Sequence, residues 1–248
     1  MLSPEELERY SWQLTTPGYS VSQQEQLKGA TVLISRAGGV GGTVALELAA
    51  AGVGKLIIAH GGLLRLNDLN RQLLMSTEHV GELRTLSLTR RLRELNPHVQ
   101  VQTCSENISV GNAESLVQQS HLVISAAPLF EERLLMNAAA VKLGKPIIHA
   151  SMYDMSASIL CTRPGVDACL ACVCPEPPSW WKREFPVFGA VAGVAGCIAA
   201  VEAIKLLTGL GESLAGQIWS MDFAKNHTRV LKVVRDPECL VCGTAAAL

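Results

Sequence analysis

The sequence predicts an α/β chain built on a doubly wound, mostly parallel sheet, with an antiparallel extension at its C-terminal end and a four-cysteine metal site. Three observations carry this. Runs such as Leu56-Ile57-Ile58-Ala59 and Leu122-Val123-Ile124 are apolar without interruption, the mark of strands buried on both faces by helices. Between residues 31 and 149 such runs alternate with helical periods. Two Cys-x-x-C pairs, Cys169/Cys172 and Cys239/Cys242, then stand far apart in the second half.

The elements follow in order. Ser3-Pro4-Glu5-Glu6 opens a helix with a cap, a proline at the first helical position and a capping box; that helix is expected to carry Tyr10 and Trp12. A second short helix over Ser22–Leu27 ends at Gly29, so residues 1–29 form a helical arm. Strands are expected at 31–35, 55–59, 99–103, 122–126 and 146–149, and helices at 40–51, 84–95, 112–119 and 130–143. Gly144-Lys145-Pro146 stops the last of these and aims the chain into the next strand. Antiparallel strands are expected at 156–162 and within 215–233. Residues 175–186, rich in Pro and Trp, form a surface crossover loop. The apolar stretch Phe185–Val201 is too rich in Gly and Ala, and too soon followed by Glu202 and Lys205, for a confident membrane span. It reads as a buried helix over 187–208 whose Gly189, Gly193 and Gly196 admit another backbone, across a dimer for instance. The whole is one Rossmann-like domain, 1–248.

Composition narrows the partners. A net charge of −1, with no basic patch interleaved with aromatics, gives nucleic acid or an anionic membrane nothing to hold. No secretory segment opens the chain, so a cytoplasmic setting is expected. There, two Cys-x-x-C knuckles favour a closed tetrahedral structural zinc site at Cys169, Cys172, Cys239 and Cys242 over disulfides. Cys104, Cys161 and Cys197 lie in apolar stretches and read as buried; Cys174, beside a knuckle, reads as exposed.

Between the first strand and helix lies Arg36-Ala37-Gly38-Gly39-Val40-Gly41-Gly42. Glycines there bring backbone N–H groups up to phosphate oxygens at the positive end of a helix. About thirty residues on come Asn70-Arg71-Gln72. His60 and His149 fall at strand ends, where hydrogen-bonded rim residues are common. Trp180-Trp181 reads equally as loop packing or as a partner contact.

Strand, Gly-Gly-x-Gly turn, helix, Asn-Arg-Gln and two distant knuckles, from Arg9-Tyr10 to Cys242-Gly243, together resemble the ThiF/MoeB/HesA family, bacterial relatives of the E1 enzymes. Residues 61–68, Pro175-Glu176-Pro177 and Phe188-Gly189-Ala190-Val191 resemble its HesA branch, associated with nitrogen-fixation gene clusters. The resemblance implies adenylation of the C-terminal Gly-Gly carboxylate of a ubiquitin-like sulfur carrier by Mg-ATP, in a homodimer. It assigns Gly38, Gly39 and Gly41 to the phosphate loop and Asn70, Arg71 and Gln72 to nucleotide contact, with Arg71 the phosphate partner. Arg84 takes the place of the catalytic lysine, and charge is kept while geometry changes.

Other positions depart from that pattern. Arg36 replaces the first glycine. His60 replaces the ribose-binding acid, and Asp68 an asparagine. Pro128 stands where the magnesium aspartate belongs, and a proline side chain binds no metal. Trp12 replaces an arginine that reaches into the neighbouring protomer. No cysteine sits at the loosely aligned thioester position, near Lys182. The expectation is a HesA-like protein with a degenerate catalytic site, doubtful in Mg-ATP use and assisting sulfur or metallocofactor assembly, with a nitrogenase cofactor-assembly protein as one client. An active adenylyltransferase is the alternative. An NADP-binding oxidoreductase with Arg65 as selector is a third reading, in which Asn-Arg-Gln and the knuckles have no role.

Overall fold

A computed structural model describes residues 1–243. The arm comprises α1 (Pro4–Arg9), α2 (Ser11–Leu14) and α3 (Val21–Gly29). The capping box forms as expected: Ser3 Oγ accepts from Glu6 N–H, and the Glu6 carboxylate accepts from Ser3 N–H. Tyr10 ends α1 instead of riding on it, and Trp12 lies on the separate α2, almost fully exposed.

The sheet begins with β1 (Thr31–Ser35), α4 (Gly39–Ala51), β2 (Lys55–Ala59), α5 (Arg84–Leu95) and β3 (Gln100–Cys104). It continues through α6 (Ala113–Gln118), β4 (Leu122–Ser125), α7 (Phe130–Lys142), β5 (Ile147–Tyr153) and β6 (Ser156–Thr162). After α8 (Leu170–Val173) and α9 (Gly189–Thr208) come β7 (Gln217–Asp222) and β8 (His227–Lys232). The strand order is β3-β2-β1-β4-β5-β6-β7-β8. The first five strands run parallel, and β6 to β8 join antiparallel. The order reverses between β1 and β4, which opens a crevice at the carboxyl ends of those strands. β5 runs four residues past its expected end because its ladder with β6 continues to Tyr153–Ser156.

Side-chain alternation splits the core into two layers. Val32, Ile34, Leu56, Ile58 and Ile124 face α4 and α9; Leu33, Ile57, Val123 and Ile147 face α6 and α7. The α9 helix is long and apolar enough to cross a membrane by length and composition, yet Val191, Ala195, Ala199 and Ala203 are buried in the core. Two of its three glycines are used within the chain. A Cβ on Gly196 would lie 2.5 Å from Thr43 Cβ of α4, and one on Gly189 would lie 2.3 Å from Asn70 O; Gly193 faces open space. The outer face of α9 leaves Val194, Val201 and Cys197 exposed, so Cys197 is not the buried residue expected. Cys161 is buried and Cys104 half-buried.

The crossover loop lies at the surface, with no residue of 175–186 buried, and is anchored there. Asp154 N–H donates to Pro186 O, tying the loop to the end of β5, and Trp181 packs on Phe130 and Phe185 at ring-centroid distances of 5.2 and 5.1 Å. Tyr153 and Trp180 complete the cluster. Both indoles take part in this loop packing, and Trp180 is also exposed.

Candidate functional site

The carboxyl ends of β1, β4 and β5, the crossover loop and the face of β7 enclose a cavity of about 1670 Å³. At its floor the backbone turns out of β1 through Arg36, whose φ of 59° is left-handed. A non-glycine residue there costs about 1–2 kcal/mol. Gly38 caps α4 with no side chain of its own, so the first-turn N–H groups meet no side-chain acceptor. Gly41 must be glycine, since a Cβ would lie 2.5 Å from Arg36 O.

The Arg36 side chain folds back onto α7. Its Nε donates to both Glu132 oxygens, at 2.9 and 3.2 Å, and Nη2 makes a further contact with Oε1. Both side chains are largely buried. The cation at the first-glycine position therefore has a dedicated counter-ion ninety-six residues away, one that sequence reading missed. The signal was available: Glu131-Glu132 in the first turn of the helix after β4, together with an unexplained arginine in a glycine loop.

Asp68 organises the opposite wall. Its Oδ2 accepts from Arg84 Nη2 at 2.7 Å and Arg65 N–H at 3.0 Å; its Oδ1 accepts from Gln72 Nε2 at 2.9 Å and Arg71 Nη2 at 3.4 Å. Burial disfavours its charge, but Arg84 outweighs that and holds the carboxyl below its ordinary range. Arg84 Nη1 also donates to Gly61 O, and Arg71 Nη1 to Asn67 O and Asn70 Oδ1. Burial, then the nearby Arg183 and Arg84, pull the Arg71 guanidinium down against Asp68. Arg183 comes from the crossover loop and was not anticipated.

His60 is buried, with Nδ1 unpartnered. Burial first, then Arg84 and Arg36, lower its pKa to about 3, so it faces the cavity as a neutral ring. Gly38, Gly39, Arg36, His60, Asn70, Arg71, Gln72 and Arg84, which sequence singled out, all line this one cavity; Gly41 supports the turn behind it. His60 is hydrogen-bonded at its strand end, to the Ala37 backbone, whereas His149 is not the hydrogen-bonded rim residue expected. His149 is buried with both ring nitrogens unpartnered.

Elsewhere, the four cysteine sulfurs of the knuckles lie within 4.8 Å of one another. Cys169 and Cys239 sulfurs are 3.8 Å apart, and Cys172 and Cys242 3.3 Å. A tetrahedron of Zn–S bonds of about 2.3 Å has edges of about 3.8 Å, so the donor set fits a metal such as zinc with no ligand position left open. The site joins α8 to the chain's C-terminal segment. Cys174 is half-buried, and its thiol donates to Glu176 O at 3.2 Å.

Comparisons with known proteins agree with this architecture. The chain is 43% identical to heterocyst protein HesA of Trichormus variabilis over 99% of its length and 92% of that protein. It is 37% identical to the sulfur carrier protein adenylyltransferase of Thermus thermophilus, over 96% of this chain and 92% of that one. Its fold matches the crystal structure of E. coli MccB with ATP at a TM-score of 0.84 and 25% identity, covering 95% of this chain and 74% of the other. The ThiF family model matches residues 10–241, and with the doubly wound sheet, the glycine turn and the cysteine tetrad in place, the chain belongs to the ThiF family.

Proposed function

We propose that this protein is a HesA-like member of its family that binds nucleotide phosphates in the cavity at the carboxyl ends of β1 and β4 but adenylates poorly or not at all, and that it serves sulfur or metallocofactor assembly. One observation carries the binding half. Arg84 and Arg183 stand close enough to Arg71 to disfavour its charge, and Asp68, which pairs with Arg71 and Arg84 but not with Arg183, leaves positive charge on this wall that favours an anionic ligand. Asn70, Gln72 and the N–H groups at the start of α4 complete a phosphate cradle, with His60 as a neutral neighbour for the sugar.

Impaired turnover follows from the chemistry of the positions. Pro128 offers no side-chain oxygen for magnesium. Arg36 is committed to Glu132, and Arg71 and Arg84 to Asp68. Losing one electrostatic stabiliser commonly costs about 3 kcal/mol of transition-state binding, and here several groups are altered. The identity to HesA, and that branch's association with nitrogen-fixation clusters, support metallocofactor assembly and a nitrogenase-related client. Exposed Trp12 on the arm and the apolar outer face of α9 support a homodimer.

The active alternative has its own observation: the sulfur carrier protein adenylyltransferase resembles this chain over nearly the full length of both. Calorimetric titration with ATP, with and without Mg²⁺, followed by ATP–pyrophosphate exchange with a Gly-Gly-ending carrier, separates the two. Binding abolished by Arg71→Ala without exchange supports the proposal. Carrier-dependent exchange establishes the alternative, and no binding in any condition refutes both.

A further inference from the structure

Beside the cysteine tetrad stands a buried asparagine with half of its amide unused. Asn137 lies in the middle of α7 and is fully buried. Its Oδ1 accepts from Leu170 N–H at 2.9 Å, and Leu170 is the residue after Cys169. That bond fixes which way the amide points. Its Nδ2 is buried and makes no hydrogen bond. The group within its influence is the Cys169 sulfur. Burial raises the pKa of that thiol, and the Asn137 amide pulls it down against burial by favouring the thiolate.

Buried polar groups are normally satisfied. A neutral thiol is a weak acceptor and serves an amide N–H poorly, whereas an ionised acceptor makes the stronger bond. An orphan amide donor beside a cysteine sulfur is therefore the complement of a charged, metal-bound sulfur. We propose that Asn137 is a positioning residue for the metal of the tetrad: its Nδ2–H donates to the Cys169 thiolate and anchors the loaded site to α7. Four thiolates around one divalent ion leave a negative centre, which donors to the sulfurs stabilise and orient. Backbone N–H groups supply such donors too, from Cys172 to Cys169, from Asp236 to Cys172, and from Val241 and Cys242 to Cys239; Asn137 adds a side chain from a different element. The bond reaches further than the ion. Arg133, one turn before Asn137 on α7, lines the cavity, as do Leu170 and Val173, which directly follow Cys169 and Cys172. Val141, one turn after Asn137, packs against the cysteines. The amide thus stands where one helix passes from cavity wall to metal site, and none of this depends on what the cavity binds.

Full-length protein labelled with ¹⁵N and loaded with ¹¹³Cd in place of zinc tests this by NMR. A hydrogen bond to a metal-bound thiolate carries scalar coupling from the metal to the donor proton. One Nδ2 proton of Asn137 should couple to ¹¹³Cd, as the backbone N–H groups of Val241 and Cys242 should through Cys239. Asn137→Leu keeps the volume and removes both bonding atoms. It should weaken zinc binding about 10- to 100-fold in competition with a chelator. In the cobalt-loaded variant the sulfur-to-metal charge-transfer band should move to lower energy, because a thiolate without its donor gives up an electron more readily. Lost packing alone would not move that band. The coupling is read on the unaltered chain, so the test stands whether or not the variant folds. The proposal is overturned by absent coupling from Asn137 while the knuckle N–H groups couple, by a chain that takes up no cadmium, or by a folded variant with unchanged zinc affinity and cobalt spectrum.

Discussion

Replacing Asp68 by asparagine separates the stability of the cavity wall from its affinity for phosphate. The change keeps the side chain's size and removes one negative charge from between Arg71 and Arg84. One carboxylate oxygen becomes an NH₂ donor. If that is Oδ1, its bonds from Gln72 and Arg71 are lost, but the Gln72 amide can turn over and offer Oε1, an acceptor otherwise unpartnered. Arg84 keeps its bond to Gly61 O and loses the charge assistance at Asp68, which costs about 2 kcal/mol. Against this, a phosphate lying about 8 Å from Asp68 is relieved of about 2 kcal/mol of repulsion at an effective dielectric constant of about 20. Affinity should therefore rise about thirtyfold. Denaturant melts and calorimetric titration with ADP read the two effects on one preparation. Stability should fall while affinity rises and becomes more sensitive to salt. A folded variant with unchanged or weaker ADP binding refutes the placing of phosphate beside this wall. There is an acid-side companion. Because the folded pKa of Asp68 is depressed, its contribution is present above the ordinary value of 3.8 and is lost as pH falls through the folded value. The variant's melts should therefore be flatter in acid than the parent's.

Arg36→Gly relieves about 1–2 kcal/mol of left-handed backbone cost but strands the buried Glu132, at about 3–5 kcal/mol. Denaturant unfolding should show a net loss that Arg36→Gly combined with Glu132→Gln recovers. Chelation under reducing conditions, or Cys239→Ser, should remove about one zinc per chain by elemental analysis, lower the melting temperature and expose the C-terminal segment to protease. Burial opposes the charge of Glu6, but Lys28 and the bonds from Ser3 win and lower its pKa from 4.5 to about 2. The stability it lends the arm should be intact above pH 4.5 and lost as pH falls toward 2, and Glu6→Gln should remove that dependence.

What the sequence disclosed and what it hid differ by range. The inner strands β1, β2 and β4 were legible because burial on both faces writes an unbroken apolar run, as at Leu56–Ala59. The arm's first helix was legible because Ser3, Pro4 and Glu6 act within one turn. The cysteine tetrad was legible because two knuckles each bring two ligands together locally, leaving only their meeting to be supplied by the fold. Boundaries slipped where a long-range ladder decided them, as at the end of β5. The gaps in the site have the same cause. Arg36 was visibly out of place, but its partner Glu132 lies across the sheet, and nothing local connects them. Asp68 read only as a replacement for asparagine because its two arginines, at 71 and 84, converge on it only through the turn that packs Gly61 against Arg84. His149 read as a rim residue because its isolation is a property of what the fold fails to place beside it.

The ion pairs themselves bear on whether such a site turns over. A catalyst gains rate only from contacts that strengthen between ground state and transition state, which requires cations free to follow the developing charge. Arg36 is held by a buried bidentate carboxylate, and Arg71 and Arg84 share another. Moving Arg36 toward a leaving pyrophosphate means first breaking a pair whose acid partner then remains buried and unpaired, at about 3–5 kcal/mol, and moving Arg71 or Arg84 gives up a charge-assisted bond to Asp68. A static phosphate imposes no such demand, since it needs only the net positive field and the N–H groups already aimed into the cavity. The arrangement is thus suited to holding a ground-state ligand and poorly suited to following a reaction. Breaking the pairs singly, by Asp68→Asn and by Glu132→Gln, should raise phosphate affinity in each case. If adenylation were merely masked, the two changes together would also restore exchange activity; continued absence of exchange in a variant that binds nucleotide tightly would place the defect at Pro128, where no acid remains to organise a magnesium ion.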